Sequence, residues 1–253
     1  MNNAQLTSGR SKQTHCRVSD IMTCVMARQI KDGETVFHGV SSHIPMVAMM
    51  LAKAIHAPNM VYLDIPGGVN PNPGKLSGYS SAGSDLFRGA SSVFSLQEIF
   101  DLSMRGKLNV AFLSGIQFDF YGNVNASVIG DYRKPKVRMP GGAGSAVLIP
   151  TADKAVIWRT KHDKRTFVPK VDFVTARGNI HKIVTPLCVF GYRNGHLVLE
   201  TVHPSSSLEE VKENTGFDLI YESVEYTQTP TVEELRYLMK IDPGDLRSQE
   251  YST

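Results

Sequence analysis

The sequence has three cysteines, one tryptophan and no long hydrophobic run. Cys16, Cys24 and Cys188 show no C-x-x-C spacing, which argues against a disulfide framework or a structural metal and favours a reducing compartment. No apolar run approaches the roughly 20 residues that span a bilayer, and the polar start of the chain lacks the apolar core of a signal peptide. We therefore expect a cytoplasmic protein without a metal site or a membrane partner.

Net charge is also low, because 27 Lys and Arg residues face 24 Asp and Glu residues. The resulting charge of +3 is too small to indicate a nucleic-acid partner, so any anion site has to be local. The composition, 42% hydrophobic and 20% charged, is that of an ordinary globular protein. Since no repeat or low-complexity linker divides the chain, we predict a single domain over 1–253 with a polar, disordered N-terminus over 1–17.

The first third of the chain alternates between helix and strand patterns. Apolar residues at helical spacing predict a helix over 18–31, capped by Ser19, and another over 41–55. Short apolar runs predict strands at 34–39 and 60–63, the second parallel to the first.

Strands and helices continue to alternate in the rest of the chain. A long irregular loop is expected over 67–92, which is rich in Gly, Pro, Asn and Ser. The further predicted strands are 109–113, 146–149, 155–158, 171–175, 187–190 and 196–201, and further helices are predicted at 95–107, near 205–211 and at 231–239. This alternation predicts an α/β fold with an open, mostly parallel sheet flanked by helices.

The segment 117–140 is the densest in polar and turn-forming residues, and it has two interpretations. Asp119, Gly122, Asn123 and Asn125 suit a tight turn, because Asx side chains bond nearby backbone groups and Gly accepts a positive φ. The segment also follows a predicted buried strand, and open parallel sheets place their ligand crevice at the carboxyl ends of strands. The residues alone leave both interpretations open.

A glycine-rich stretch, Gly141-Gly142-Ala143-Gly144-Ser145, follows directly. Such a stretch turns several backbone N–H groups toward one point and binds anions or oxyanions. A dinucleotide-binding loop is disfavoured, because the third glycine is absent and the run 146–149 suggests a strand instead of the required helix. A Walker loop is excluded by the lack of G-K-[ST].

Together these stretches resemble a known family. The motif Q-F-D-x-Y-G-N-V-N-x-S-x-I-G-D-Y-x-x-P-K-x-R over 117–138, followed by GGAGSA, resembles the beta subunit of glutaconate CoA-transferase and its class I CoA-transferase relatives. HAPNM at 56–60, KVDFVT at 170–175, SSSLEEVKENTGFDL at 205–219 and IDPG at 241–244 follow the same order. Several ordered blocks are far more specific than one glycine motif.

The resemblance implies an open α/β sheet of the CoA-transferase type and a homologous alpha subunit as partner in a heterodimer or heterotetramer. It also implies an acyl-CoA substrate, with coenzyme A as part of that substrate and no tightly bound cofactor. In these transferases a glutamate of this subunit attacks the thioester, and backbone donors stabilise the oxyanion. By position in the motif, Gly144 and Ser145 would supply those donors, and Gly141, Gly142 and Ala143 would shape the turn.

The sequence departs from the family where the glutamate is expected. An ungapped match from HAPNM places Ile65 at that position, and no glutamate occurs between Glu34 and Glu98. Asp64 is adjacent, but its side chain is shorter and, if the strand continues, points to the opposite face. Asp64 remains the candidate carboxylate of this subunit if a shift of one residue turns it inward.

Four polar residues are further candidates for contacting the substrate. His43 lies in a loop expected to face the crevice and stands where relatives carry a small residue. Gln117, Asn123 and Asn125 are predicted to bind or orient the acyl or pantetheine group, since amide side chains need not titrate to be useful there.

Three functions therefore remain open. The chain is a transferase subunit that uses Asp64 in place of the glutamate, or a subunit of an acyl-CoA hydrolase or ring-opening carbon–carbon hydrolase whose catalytic carboxylate lies on the alpha subunit. The third is a non-catalytic scaffold that completes the partner's pocket. The missing glutamate favours the second.

Overall fold

A computed structural model describes residues 16–72, 76, 80–83, 86 and 88–251. Its helices are α1 (Val18–Ala27), α2 (His43–Ile55), α3 (Leu96–Met104), α4 (Ser145–Thr151), α5 (Leu208–Asn214), α6 (Val232–Ile241) and α7 (Leu246–Gln249). Its first strands are β1 (Thr35–His38), β2 (Val61–Leu63), β3 (Gly68–Val69), β4 (Ser92–Val93), β5 (Val110–Ser114), β6 (Gln117–Phe118) and β7 (Val124–Asn125). The others are β8 (Val128–Gly130), β9 (Pro135–Arg138), β10 (Lys154–Trp158), β11 (Ile180–Val184), β12 (Cys188–Arg193), β13 (His196–Val202) and β14 (Glu225–Tyr226).

Within the described residues, one ten-stranded sheet has the order β14-β13-β12-β11-β10-β5-β1-β2-β3-β4. Its centre, from β2 through β1, β5 and β10 to β11, is parallel. Most outer pairs are antiparallel. This confirms the predicted open, mostly parallel α/β sheet, and it brings the carboxyl ends of the central strands to one edge.

Successive residues of the central strands face two separate cores, as the pleat of a strand requires. Val36 packs into the core beneath α1, α2, α6 and α7, whereas Phe37 packs into the core beneath α3, α4 and α5. In β5, Phe112 faces the first core and Ala111 the second. A sheet buried on both faces explains why these strands are continuous apolar runs in the sequence.

The predicted strand at 146–149 is wrong, because these residues lie in α4. A short apolar run carries no periodicity that separates a strand from a buried helical turn. Leu148 and Ile149 are buried in the second core, while Ala146 is exposed, which is a helical pattern. The glycine-rich stretch therefore leads into a helix of seven residues.

The predicted strand at 171–175 is also absent, although its burial alternates. The amide of Val171 donates to Asp119 Oδ2 at 3.3 Å, and the amide of Asp172 donates to Gln117 Oε1 at 3.3 Å. Side chains of the 117–125 region thus take backbone donors that a strand ladder would use.

At the start of the chain, the predicted cap and end of the first helix differ from the structure. Ser19 lies inside α1, whose N-cap is Arg17, and α1 ends at Ala27. The expected disorder of 1–17 falls mostly on residues 1–15, which lie outside the described residues. No helix in the described part of the chain has both the length and the apolar character needed to cross a membrane.

The C-terminal segment is fixed to the first helix by buried charges. Arg247 is 3% exposed, and its guanidinium donates to Asp20 Oδ1 and Asp242 Oδ2, each at 2.8 Å. Asp242 also accepts the amide of Leu246 at 2.8 Å and so starts α7. Because these groups satisfy one another, α7 and the residues after it are held against the carboxyl edge of the sheet.

Candidate active site

A cavity of about 580 Å³ opens at the carboxyl edge, where β1, β5 and β10 end. The residues that line it follow these strands or come from the glycine turn and the C-terminal segment: Val40, Ser41, His43, Ser114, Gly115, Ile116, Ala126, Pro140, Gly141, Trp158, Arg159, Thr160, Gln249 and Glu250. This is the edge at which parallel sheets bind ligands. Its size is that of a small-molecule site.

The loop after β1 is set by a buried histidine. Nδ1 of His38 lies 3.0 Å from the Gly39 carbonyl, and Nε2 lies 3.1 Å from the hydroxyl of Tyr62. Burial lowers the pKa of His38 to about 4, so the ring is neutral. A neutral ring donates from Nδ1 and accepts from the Tyr62 hydroxyl, and this fixes the start of the loop that leads to the cavity.

His43 lies at the start of α2 and lines the cavity, as expected for a crevice-facing loop. Its backbone amide donates to Glu250 Oε1, and its Nδ1 lies 3.2 Å from the same oxygen. Sequence reasoning missed Glu250, because nothing near residue 250 indicates that it returns to α2. The only local signal is the IDPG block, which starts the turn into α7.

The glycine turn meets the cavity through Gly141. Gly141 has a φ of 93°, in the region that favours glycine, and its amide donates to Ala126 O at 2.8 Å. Ser145 donates to Gly142 O at 2.7 Å and begins α4. Among the described residues, no backbone carbonyl accepts from the amides of Ala143 or Gly144. Those two amides are therefore available to a ligand, although the cavity as formed by this chain reaches only Gly141.

Gln117, Asn123 and Asn125 use their amide groups within the protein. Asn125 Nδ2 donates to Gln117 Oε1 and to Val128 O, both at 2.7 Å. Asn123 Nδ2 donates to Asp119 at 3.0 Å and 3.1 Å. These three side chains hold the 117–128 turns in shape, and Ala126 of that region is the residue that lines the cavity.

Asp64 is fully buried, and its carboxylate binds backbone amides of the turn that follows β2. Its Oδ1 accepts the amides of Gly67 at 2.9 Å and Gly68 at 2.6 Å, and Oδ2 has no partner among the described residues. Burial raises the pKa of this carboxyl group. Neither Asp64 nor Ile65 lines the cavity, and Ile65 packs against the second core.

Arg159 and Trp158 line the cavity, and sequence reasoning did not assign either to the site. Trp158 lies buried at the end of β10, and its Nε1 has no hydrogen-bond partner in the described part of the chain. Arg159 Nε is buried and equally unpartnered there. Burial lowers the pKa of the Arg159 guanidinium, opposed by the nearby charge of Asp163.

The structure thus brings His43 and Gly141 together at one cavity with Arg159 and Glu250. It places Asp64 in a separate turn, and it places Gln117, Asn123 and Asn125 in the supporting network. In the described ranges, no cluster of three or more His, Cys, Asp or Glu side chains has the arrangement of a metal site.

A family model described as coenzyme A transferase matches residues 20–214. The chain belongs to the coenzyme A transferase family. It is 34% identical to the beta (B-type) chain of 3-oxoadipate CoA-transferase from Pseudomonas knackmussii, over 88% of this chain and 92% of that relative. It is 30% identical to the corresponding chain of glutaconate CoA-transferase from Acidaminococcus fermentans, over 89% of this chain and 92% of that relative.

The coenzyme A transferase fold of this chain also matches a solved structure with another activity. The AibA/AibB decarboxylase superposes with a TM-score of 0.88 at 28% identity, over 93% of this chain and 99% of that chain. The resemblance read from the motifs is therefore confirmed at the level of a beta subunit of this family. The fold itself does not separate transfer from other chemistry.

Proposed function

We propose that this chain is the beta subunit of a two-subunit enzyme that binds an acyl-CoA thioester in the carboxyl-edge cavity. We propose further that the enzyme hydrolyses the thioester without a covalent intermediate on Asp64. The hydrolytic reaction is supported by the positions of two carboxylates. Asp64 binds the amides of the turn after β2 and does not line the cavity, whereas Glu250 lines it. The names of the two curated relatives, each one subunit of a larger enzyme, support an alpha-type partner.

In the proposed reaction Glu250 is the general base. Glu250 removes a proton from a water molecule whose oxygen forms a bond to the thioester carbonyl carbon. The C–S bond then breaks, the acid is released, and the proton passes to the coenzyme A thiolate. His43 positions the carboxylate through its backbone amide, and the amides of Ala143 and Gly144 are the proposed donors to the oxyanion.

A second function, transfer through Asp64, would need this carboxylate to leave its turn. Asp64 Oδ1 would have to give up both amide hydrogen bonds; the Gly67 amide keeps the Asp64 carbonyl at 3.1 Å, whereas the unmade hydrogen bond of the Gly68 amide costs about 1–3 kcal/mol. A hydrolase with its carboxylate on the partner subunit, or a scaffold subunit, predicts that Glu250 is dispensable. Turnover of the Glu250→Gln complex separates these alternatives from the proposed reaction.

The test uses the purified complex with its alpha-type partner. The complex is incubated with acetyl-, butyryl- or glutaryl-CoA, with and without an acceptor acid, and then treated with hydroxylamine. We expect free acid and coenzyme A to form without an acceptor, and no hydroxamate on Asp64 in peptide mass spectra. Hydroxamate on Asp64, or release of coenzyme A only in the presence of the acceptor, would refute the proposal. Equal activity of the partner alone would show that the chain is a scaffold.

A further inference from the structure

The hydroxyl group of Thr175 holds the two residues that connect β7 to β8. It accepts the amide of Ala126 at 2.9 Å and lies 2.6 Å from Ser127 Oγ. The backbone of Thr175 is itself fixed to β7, because the amides of Thr175 and Ala176 donate to the Val124 carbonyl at 2.9 Å and 3.1 Å. The position of residues 126–127 therefore depends on this side chain.

The same two residues hold the beginning of the glycine turn. The Ser127 carbonyl accepts the amide of Met139 at 2.9 Å, and the Ala126 carbonyl accepts the amide of Gly141 at 2.8 Å. Ala126 and Gly141 both line the cavity. A chain of two hydrogen bonds through the Ala126 backbone thus connects the Thr175 hydroxyl to Gly141.

The methyl group of Thr175 lies against the glycine turn itself. A Cβ at Gly142 would lie 2.8 Å from Thr175 Cγ2, which is closer than real Cβ contacts. Glycine allows the backbone of the turn to approach the threonine at this point. Thr175 therefore contacts the turn directly through its methyl group and indirectly through its hydroxyl group.

The backbone conformation of the glycine turn requires support from its surroundings. Ala143 has a φ of 41°, in the left-handed region that residues with a Cβ rarely adopt, whereas Gly144 has a helical φ of −64°. A strained conformation of this kind persists only where neighbouring contacts fix it. Adjacent residues of opposite hand turn successive amides toward one side. The directions of the Ala143 and Gly144 amides thus depend on the contacts that hold the turn.

We propose that Thr175 is a positioning residue of the reaction, whose hydroxyl fixes residues 126–127 and, through them, directs the amides of Ala143 and Gly144 at the thioester oxygen. The inference rests on the proposed function, since it takes these amides as the donors to the oxyanion. Donors of this kind stabilise the transition state more than the bound substrate. A displaced donor therefore lowers kcat and leaves KM nearly unchanged.

The test compares two substitutions of Thr175 in the complete two-subunit complex. Thr175→Val replaces the hydroxyl group by a methyl group, and Thr175→Ser keeps the hydroxyl group. With the fastest substrate among acetyl-, butyryl- and glutaryl-CoA, Thr175→Val should lower kcat roughly 10–100-fold, since a displacement of about 1 Å near the reacting atoms costs about 10²-fold. KM should stay nearly unchanged, and Thr175→Ser should retain most of the kcat.

Thr201→Val is the matched control for the loss of a threonine hydroxyl. Thr201 Oγ1 lies 2.7 Å from Thr227 Oγ1, so this variant also loses a hydrogen bond. Thr201 is on β13, which β10, β11 and β12 separate from β5 in the sheet. Both valine variants should melt a few degrees below the unchanged complex, but Thr201→Val should keep its kcat.

Hydrogen exchange measured by mass spectrometry reports on the glycine turn independently of activity. Because the Gly141 amide donates to Ala126 O, it should exchange faster in Thr175→Val, in peptides that cover residues 139–145. Thr201→Val should exchange there at the unchanged rate. An unchanged rate in Thr175→Val would overturn the inference, because the hydroxyl would then not hold the turn.

The kinetic outcomes separate the inference from the proposed function. An unchanged kcat in Thr175→Val, or an equal loss of kcat in Thr201→Val, would overturn the inference while the proposed function stands. The proposed function itself fails if the unchanged complex releases no coenzyme A from any of the three thioesters. The inference then fails with it, even where hydrogen exchange shows that Thr175 holds the turn.

Discussion

Glu250 accepts a hydrogen bond from the backbone amide of His43, although the two residues are 207 positions apart in the sequence. The contact joins the first turn of α2 to the segment that follows α7. It supplies the cavity with a carboxylate that the strand-to-turn region at 61–67 does not provide. The C-terminal segment is therefore part of the site.

Glu250→Gln should lower turnover of an acyl-CoA by the complex roughly 10²–10⁴-fold, because glutamine takes no proton from water. Folding should be unaffected, since the amide oxygen of glutamine still accepts from His43. Steady-state kinetics with a coupled thiol assay measure the effect. Glu209→Gln, on the exposed face of α5, is the control. Unchanged turnover in Glu250→Gln would show that the general base lies on the partner subunit.

Asp64→Asn should leave turnover unchanged, because Asn keeps an oxygen that accepts from Gly67 and Gly68. Asp64→Ala removes the carboxylate acceptor of the Gly68 amide, while the Gly67 amide keeps the backbone carbonyl of residue 64 at 3.1 Å, and it should lower the free energy of unfolding by about 1–3 kcal/mol. Thermal denaturation and turnover of both variants separate the two roles. A folded but inactive Asp64→Asn complex would indicate that this carboxylate takes part in the reaction.

Gly142→Ala and Gly144→Ala form a matched pair in the glycine turn. A Cβ at Gly142 would lie 2.8 Å from Thr175 Cγ2 and 2.9 Å from Ala146 Cβ, so the turn has to shift, at a cost of about 1–3 kcal/mol. A Cβ at Gly144 would make ordinary contacts at 3.5 Å and beyond, with a helical φ of −64°. Gly144→Ala should therefore fold normally. Equal melting temperatures for both variants would contradict this.

Arg247→Met should destabilise the chain by about 3–5 kcal/mol, because Asp242 stays buried without its cation and Asp20 keeps only Arg17, at 3.3 Å. Limited proteolysis should then cleave the segment after Pro243 faster. Arg165→Met, at an exposed position, should change stability by less than about 0.5 kcal/mol. Similar melting curves for the two variants would show that the buried charges contribute little.

Stability should fall as the pH drops from about 6.5 toward 4. Burial lowers the pKa of His38 and His203 to about 4 and of His162 to about 3, from an unfolded value near 6.5. The unfolded chain binds more protons in this window, so the contribution of the neutral rings is complete above the unfolded pKa and lost as the pH falls.

The variant His38→Gln tests this pH dependence. It should reduce the loss of unfolding free energy across the window by roughly 3 kcal/mol, since each pKa unit corresponds to about 1.4 kcal/mol. Chemical denaturation at several pH values provides the measurement. An unchanged slope in His38→Gln would show that protonation of His38 does not limit acid stability.

Most of the sheet was predictable, whereas α4 was not. The strands β1, β2 and β5 are apolar because both of their faces are buried, and α2 shows helical spacing over three turns. The run 146–149 is too short to have a period, and its neighbours decide its conformation. At 171–175 buried and more exposed residues alternate as in a strand, but the side chains of Asp119 and Gln117 accept hydrogen bonds from the backbone amides of Val171 and Asp172.

Part of the site was predictable from local features of the sequence. His43 begins α2 just after a predicted strand, Gly141 follows the family motif, and both line the cavity. Arg159, Trp158 and Glu250 were not predicted, because unpaired donors and a returning C-terminal segment leave no local signature. The roles of Gln117 and Asn125 at a substrate stay predictions, since their amides hold the turn.

The sequence by itself determined the family, the alternation of strands and helices, and the absence of a glutamate at position 65, because ordered motifs and periodic burial are local properties of a chain. Only the tertiary structure decided which carboxylate lines the cavity and which cation has no hydrogen-bond partner among the described residues. These depend on contacts between residues far apart in sequence, such as Arg247 with Asp20 and Glu250 with His43. Burial and pairing arise from packing, and packing is complete only when the whole sheet has formed.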